Sequence, residues 1–295
     1  MKRALVLSGG GNKGAFEAGA VYHLIQTQNY HFDIFSGTSV GALNAGYLAQ
    51  GGNLREQGDG IETLKERWLS IRGNRDIFSF RLINIFKMLW GGALYQPVGL
   101  QEIIESLIIP ERLKAGKPLL IPCVALEDGE LFLADSRRDE DRNEMARFLL
   151  ASASMPVYFP PVQIRGKHWV DGGLRNITPL NAVLSEWPNE IVVVTTYPVT
   201  PSLEPVFPKF SRVKNIMAVI HRVIDILTAE IASGDLQVAQ KIAGQNRRVL
   251  QNRIRLTIVA PDAPLEDHCL EFSPKLLQKY FTMGIRAAQK LRVYD

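Results

Sequence analysis

The sequence predicts an α/β protein built on a largely parallel sheet with helices packed on its faces. Two observations carry that expectation. The first fifty residues alternate strand, glycine loop, helix, strand, turn and helix, the rhythm of parallel strands joined by crossover helices. Further along, Ile191–Thr195 is a continuous β-branched run of the kind buried on both faces of a parallel sheet. No repeat of fixed period competes with this reading.

Ala4–Leu7 is a short apolar run suited to a buried strand, and it ends in SGGGNKG. Ala15–Gln28 places apolar residues on one side of a helix. Phe32–Phe35 is the next strand, followed by GTSVGALNA at Gly37–Ala45 and a small-residue helix through Leu48. Leu54–Ile71 and Val98–Ile109 read as amphipathic helices. Between them Ile77–Tyr95 is rich in large apolar residues, with only Arg81 and Lys87 charged; a core or lid-like helix pair, an apolar flap beside an active site and a membrane-touching surface all fit it. Lys117–Leu126 and Glu130–Ala134 form a hairpin around Glu127–Asp128–Gly129, Arg142–Ala151 is helical, and Gly166 in QIRGKHWVDGG marks a second hairpin turn. The proline-rich stretch Pro198–Pro208 marks a surface loop. After it come a long helix from about Val213 to Ala232 or further, a strand at Arg253–Val259 and a helix near Pro274–Leu291. Residues 1–200 are therefore expected to form the core, and residues 201–295 a mainly helical elaboration packed on it, one domain overall.

Composition narrows the function classes. Hydrophobic content of 46% and charged content of 22% belong to a globular protein with a sizeable core. A net charge of +4, with no basic stripe interleaved by aromatics, argues against a nucleic-acid partner. Two cysteines, Cys123 and Cys269, make no disulfide framework and point to a reducing compartment. The apolar run at the N-terminus breaks at Ser8, too early for a secretory signal, and no stretch approaches the roughly 18 uncharged apolar residues of a membrane span. The expected location is cytoplasmic, with peripheral contact at a membrane surface left open.

Three motifs carry chemistry. In GTSVG, Ser39 stands between Gly37 and Gly41 on a strand-to-helix turn, the spacing that exposes a nucleophilic hydroxyl. GGGNKG, Gly9–Gly14, follows the first strand and opens the first helix, so its backbone N–H groups can face an anion. Gly9, Gly11 and Gly14 also satisfy a dinucleotide fingerprint, but the acidic residue expected about twenty positions on is missing. An oxyanion hole beside Ser39 fits better, since adjacent parallel strands would place donors and nucleophile on one rim. Asp171 ends a strand in WVDGGL, where Gly172 and Gly173 turn the backbone and expose the carboxylate. His168 points to the other strand face. His268 is the one histidine late enough for a Ser…Asp…His order, and its context lacks a presenting turn.

In this order, and with FLLASASMPVYFPPV ahead of the aspartate, these motifs resemble the patatin-like phospholipase family from about Ala4 to Thr196. The resemblance implies a three-layer α/β/α fold and a histidine-free dyad, with Ser39 as nucleophile and Asp171 as general base. It places the oxyanion hole at Gly10, Gly11 and Asn12, with Lys13 at the family's basic position. Gly37 and Gly41 support the elbow, and Gly172 and Gly173 the aspartate turn. It implies a serine acyl hydrolase that cleaves fatty-acyl esters of (lyso)phospholipids through an acyl-enzyme, without metal or cofactor. An acyltransferase or thioesterase on the same residues, and a catalytically silent lipid-binding protein, are the alternatives.

Overall fold

A computed structural model describes residues 1–80, 93–200, 202–207, 216–249, 254–265 and 269–294. Its strands are β1 (Arg3–Leu7), β2 (Ile34–Gly37), β3 (Ser79–Phe80), β4 (Tyr95–Gln96), β5 (Leu119–Ala125), β6 (Leu131–Asp135), β7 (Val162–Ile164), β8 (Lys167–Asp171), β9 (Glu190–Val194), β10 (Arg255–Val259) and β11 (Arg292–Tyr294). Nine of them form one sheet in the order β11-β10-β9-β1-β2-β5-β8-β7, with β6 paired to β5, while β3 and β4 pair separately. The centre is parallel: β1 lies between β2 and β9, β10 continues beyond β9, and β2 meets the start of β5. Antiparallel pairs close both edges.

Strand alternation divides the core into two layers. Leu5, Leu7, Phe35, Ile121, Val192 and Val194 face one side. There they meet α1 (Gly14–Gln26), α2 (Val40–Leu48), α3 (Leu54–Ser70) and the C-terminal helix Pro274–Ala288. Ala4, Val6, Ile34, Leu120, Ile191 and Val193 face the other side. They are covered by the short helix Leu180–Leu184 and by Leu236 and Ala239 of the long helix Ile216–Val249. This is the three-layer α/β/α arrangement.

Several boundaries differ from the sequence expectation. β2 begins at Ile34 because Gln57 of α3 takes both backbone groups of Phe32, accepting its N–H at 3.0 Å and donating to its carbonyl at 2.8 Å. The expected helix Arg142–Ala151 is two, Asp139–Asn143 and Met145–Ser152, while the long helix after Pro198–Pro208 does extend past Ala232, to Val249. On that helix Ile220 and Ile224 pack against the core, whereas Ile216 and Leu227 are exposed. The C-terminal part adds β10, where the strand at Arg253–Val259 was expected, and also β11 to the same sheet. Of the apolar segment Ile77–Tyr95, residues 81–92 lie outside the described residues.

α1 and the C-terminal helix touch backbone to backbone at two glycines. A Cβ on Gly19 would stand 2.0 Å from the Phe281 carbonyl oxygen, and one on Gly284 would stand 2.0 Å from that of Phe16. Neither obstacle can rotate away. Gly284→Ala is therefore expected to force the helices apart at a cost of about 1–3 kcal/mol, a fall in Tm on the order of 5 °C that thermal unfolding would register.

Candidate active site

β1 and β2 are parallel neighbours, so the glycine loop after β1 and the serine turn after β2 share one rim of the sheet. At the turn, Thr38 donates its N–H to the Leu7 carbonyl at 3.1 Å, and Ser39 takes φ 56°, ψ −132° before α2 begins. A non-glycine residue held there is strained, and such strain persists only where the surroundings impose it. The two flanking glycines allow the approach that imposes it. A Cβ on Gly37 would lie 2.4 Å from the Gly41 carbonyl oxygen, and one on Gly41 would lie 2.6 Å from that of Leu7. Ser152 completes the brace: its Oγ accepts the Ser39 N–H at 3.1 Å and donates to the Pro122 carbonyl at 2.9 Å.

Asp171 closes β8 on the neighbouring part of the rim, and it is fully buried rather than exposed as its turn leads one to expect. Its Oδ1 accepts the Gly173 N–H at 2.7 Å, while Oδ2 is buried without a hydrogen bond of ordinary geometry. Burial pushes the Asp171 carboxyl up to about 7; the Gly173 N–H and the Ser39 hydroxyl, both acting as donors toward it, pull the other way. Serine and aspartate, which stand far apart in sequence, are thus brought together.

The glycine loop has Gly9, Gly10 and Gly11 all at positive φ. Its donors divide clearly. The Asn12 N–H is committed to the Cys269 carbonyl at 2.7 Å and the Lys13 N–H to the Gly10 carbonyl at 3.2 Å. Among the described residues the N–H groups of Gly10 and Gly11 make no such bond, so of the expected donors Gly10, Gly11 and Asn12 it is Asn12 whose N–H is committed within the protein. Val40, first in α2, has an N–H in the same condition and borders the same space, a donor the motif spacing did not single out. The Lys13 side chain is buried, with Nζ 5.5 Å from the centroid of the Tyr197 ring.

Gly10, Gly11, Lys13, Ser39 and Val40 all open onto one cavity of about 520 Å³, a volume in the range of ligand sites. Its wall is mainly apolar, with Leu43, Leu64, Trp68, Ile71, Leu100 and Phe159 among the lining residues. A polar strip comes from elsewhere in the chain: Tyr197, and His221, Asp225 and Thr228 of the long helix. The Tyr158 hydroxyl sits 2.8 Å from His221 Nδ1, and that of Tyr197 sits 2.8 Å from Thr228 Oγ1. No motif in the sequence connects His221 with the site. His168 is exposed and paired with Glu127 at 2.7 Å, away from Asp171 as the strand alternation requires. His268 lies outside the described residues. Among the described residues no group of three or more His, Cys, Asp or Glu side chains is placed to hold a metal ion, and no helix is long and apolar enough to cross a membrane.

Comparison with known proteins agrees with this geometry. The chain is 25% identical over 213 residues to the uncharacterized protein YqhO of Bacillus subtilis (strain 168), covering 65% of this chain and 70% of that one. It is 28% identical over 194 residues to a cGAMP-activated phospholipase of Escherichia coli (strain TW11681), covering 58% of this chain and 52%, about half, of that relative. Among solved structures, VipD from Legionella pneumophila aligns with 100% of this chain and 68% of its own at 15% identity and a TM-score of 0.47. The family model for patatin-like phospholipase matches residues 5–184, a span that takes in the glycine loop, the serine turn and the Asp171 turn. With more than half its length inside that match, the chain belongs to the patatin-like phospholipase family of lipid hydrolases.

Proposed function

We propose that the protein hydrolyses fatty-acyl esters of (lyso)phospholipids, with Ser39 as nucleophile, Asp171 as general base and an acyl-enzyme intermediate. The observation that carries this reading is a buried, underbonded Asp171 carboxyl beside a serine that is held in a strained turn and borders an apolar cavity. A carboxyl near its ordinary value is a feeble base toward a serine hydroxyl. One raised to about 7 by burial accepts a proton far more readily at neutral pH. Asp171 takes the Ser39 proton as Oγ attacks the ester carbonyl. The Gly10 and Gly11 N–H groups receive the oxyanion. Asp171 returns the proton to the leaving alcohol, leaving the acyl group on Ser39. A water molecule, deprotonated by the same carboxylate, then releases the fatty acid and restores the serine. The apolar wall from Leu43 to Phe159 receives the acyl chain.

The test is steady-state hydrolysis of 1-palmitoyl lysophosphatidylcholine and of a p-nitrophenyl ester series by wild type and Ser39→Ala. Wild type is expected to turn over both, and the variant to lose about 10³ or more of kcat. Equal rates for the two proteins would overturn the assignment. Acyl transfer to an added alcohol acceptor, measured in the same assay, separates a transferase from a hydrolase.

A further inference from the structure

Glu17 is a fully buried carboxylate that the chemistry above leaves unused. It sits in the first turn of α1, and both its oxygens accept. Oε1 takes the Gly9 N–H at 2.7 Å, and Oε2 takes Asn44 Nδ2 at 3.1 Å. Asn44, itself buried on α2, also donates to the Gly14 carbonyl at 3.1 Å and accepts Trp68 Nε1–H at 3.0 Å. Asn44 and Trp68 both line the cavity. A continuous path of hydrogen bonds therefore runs from the cavity wall to the glycine loop.

The direction of every bond in this path is fixed. An indole N–H can only donate, so Asn44 must present its oxygen to Trp68 and its amide nitrogen to the other side. Two donors, Asn44 Nδ2 and the Gly9 N–H, then converge on residue 17. A carboxyl, ionised or protonated, keeps an acceptor on each oxygen, whereas a glutamine would set an NH₂ against one of the two donors. At the far end Gly9 is gripped twice: Glu17 holds its N–H, and Thr196 Oγ1 donates to its carbonyl at 2.6 Å. Gly10 and Gly11 follow directly and border the cavity.

We infer that Trp68, Asn44 and Glu17 form a buried relay that positions the glycine loop for oxyanion binding and ties that loop to the wall of the acyl cavity. Glu17 is a positioning residue here, since it acts through Gly9. The inference rests on the proposed acyl-transfer reaction, and its test separates the two. Trp68→Phe keeps an aromatic wall and removes only the donor that orders the relay. Its kcat is expected to fall about tenfold on p-nitrophenyl acetate and p-nitrophenyl decanoate alike, with KM changed less than about threefold; a tenfold loss corresponds to about 1.4 kcal/mol of transition-state stabilisation. Loss confined to the decanoate, or carried by KM, would mean that Trp68 is wall alone and would overturn the relay. Glu17→Gln is expected to lose about 10² of kcat, the order of one oxyanion donor. A Glu17→Gln protein with wild-type kcat and a lowered Tm would likewise reduce Glu17 to a structural role. If that variant does not fold, the two-ester comparison on Trp68→Phe decides alone. If Ser39→Ala matches wild type, the reaction itself is wrong and the relay falls with it; if Ser39 is essential and both relay variants keep full kcat, only the relay fails.

Discussion

Asp171→Asn is expected to remove about 10³ of kcat and at the same time to raise Tm, by more at pH 8 than at pH 5. Both effects come from one fact, that burial lifts this carboxyl from 3.8 to about 7. Below pH 7 the native carboxyl is protonated and accepts nothing from Ser39. The wild-type kcat should therefore climb about tenfold per pH unit on the acid side and level off above about 7. For stability the sign is opposite. Between about pH 4 and 7 the native state holds a proton that the unfolded chain has released, so this group's contribution falls as pH rises through that window. Above about 7 the loss is complete, on the order of 4 kcal/mol as a ceiling at about 1.4 kcal/mol per pH unit. Asparagine forfeits none of it and still offers Oδ1 to the Gly173 N–H. Glu17, raised to about 8, and Asp235, raised to about 7, add slope of the same sign to both proteins and cancel in the difference. Melting curves of the two proteins at pH 5 and 8, with kcat measured from pH 5 to 9, check the whole chain of reasoning. A gain that does not grow with pH would show that Asp171 ionises like an exposed carboxyl.

The site was legible in the sequence where its requirements are local. Gly37 meets Gly41 inside the serine turn and Gly173 meets Asp171 inside the aspartate turn, so each motif can be read from its own spacing, although Gly41 and Gly172 also answer to the distant carbonyls of Leu7 and Pro122. Parallel pairing of β1 and β2 then places two motifs on one rim. What stayed hidden depends on partners distant in the chain. Ser152 braces Ser39 across 113 positions, Asn12 loses its N–H to Cys269, and His221 reaches Tyr158 across 63 positions. Glu17, Asn44 and Trp68 sit on three separate helices with no common period. The same limit applies to the fold. The prolines of Pro198–Pro208 suggest a boundary, yet β10 returns to pair with β9 in register Arg255↔Glu190, and Thr257 Oγ1 donates to Glu190 Oε1 at 2.9 Å. The strand at Arg253–Val259 can be read from its own residues, but nothing within residues 201–295 names β9 as its partner.

Gly11→Ala is expected to lower kcat by about 10²–10³, the loss that follows removal of an oxyanion donor, while leaving KM for a long-chain ester within about threefold. Gly11 holds φ +61°, and a Cβ there would stand 2.0 Å from the Cys269 carbonyl oxygen and 2.8 Å from its carbon. That same carbonyl accepts the Asn12 N–H at 2.7 Å, so the group that fixes the loop is the group that excludes a side chain from it. One partner must move. The strap behind it is held by Asn12 Nδ2 on the Glu271 carbonyl and by the Phe272 N–H on Asn74 Oδ1, both at 2.7 Å. The loop is therefore what shifts, and it carries the Gly10 and Gly11 N–H groups with it, while the Ser39 turn and the apolar wall stay in place. Gly129→Ala provides the control. Gly129 also has positive φ, +70°, but an added Cβ there would meet nothing within 4 Å. It should cost about 1–2 kcal/mol of backbone strain and no activity. If both variants lose stability equally and neither loses kcat, the glycine loop holds no oxyanion, and the donor must be sought at the Val40 N–H instead.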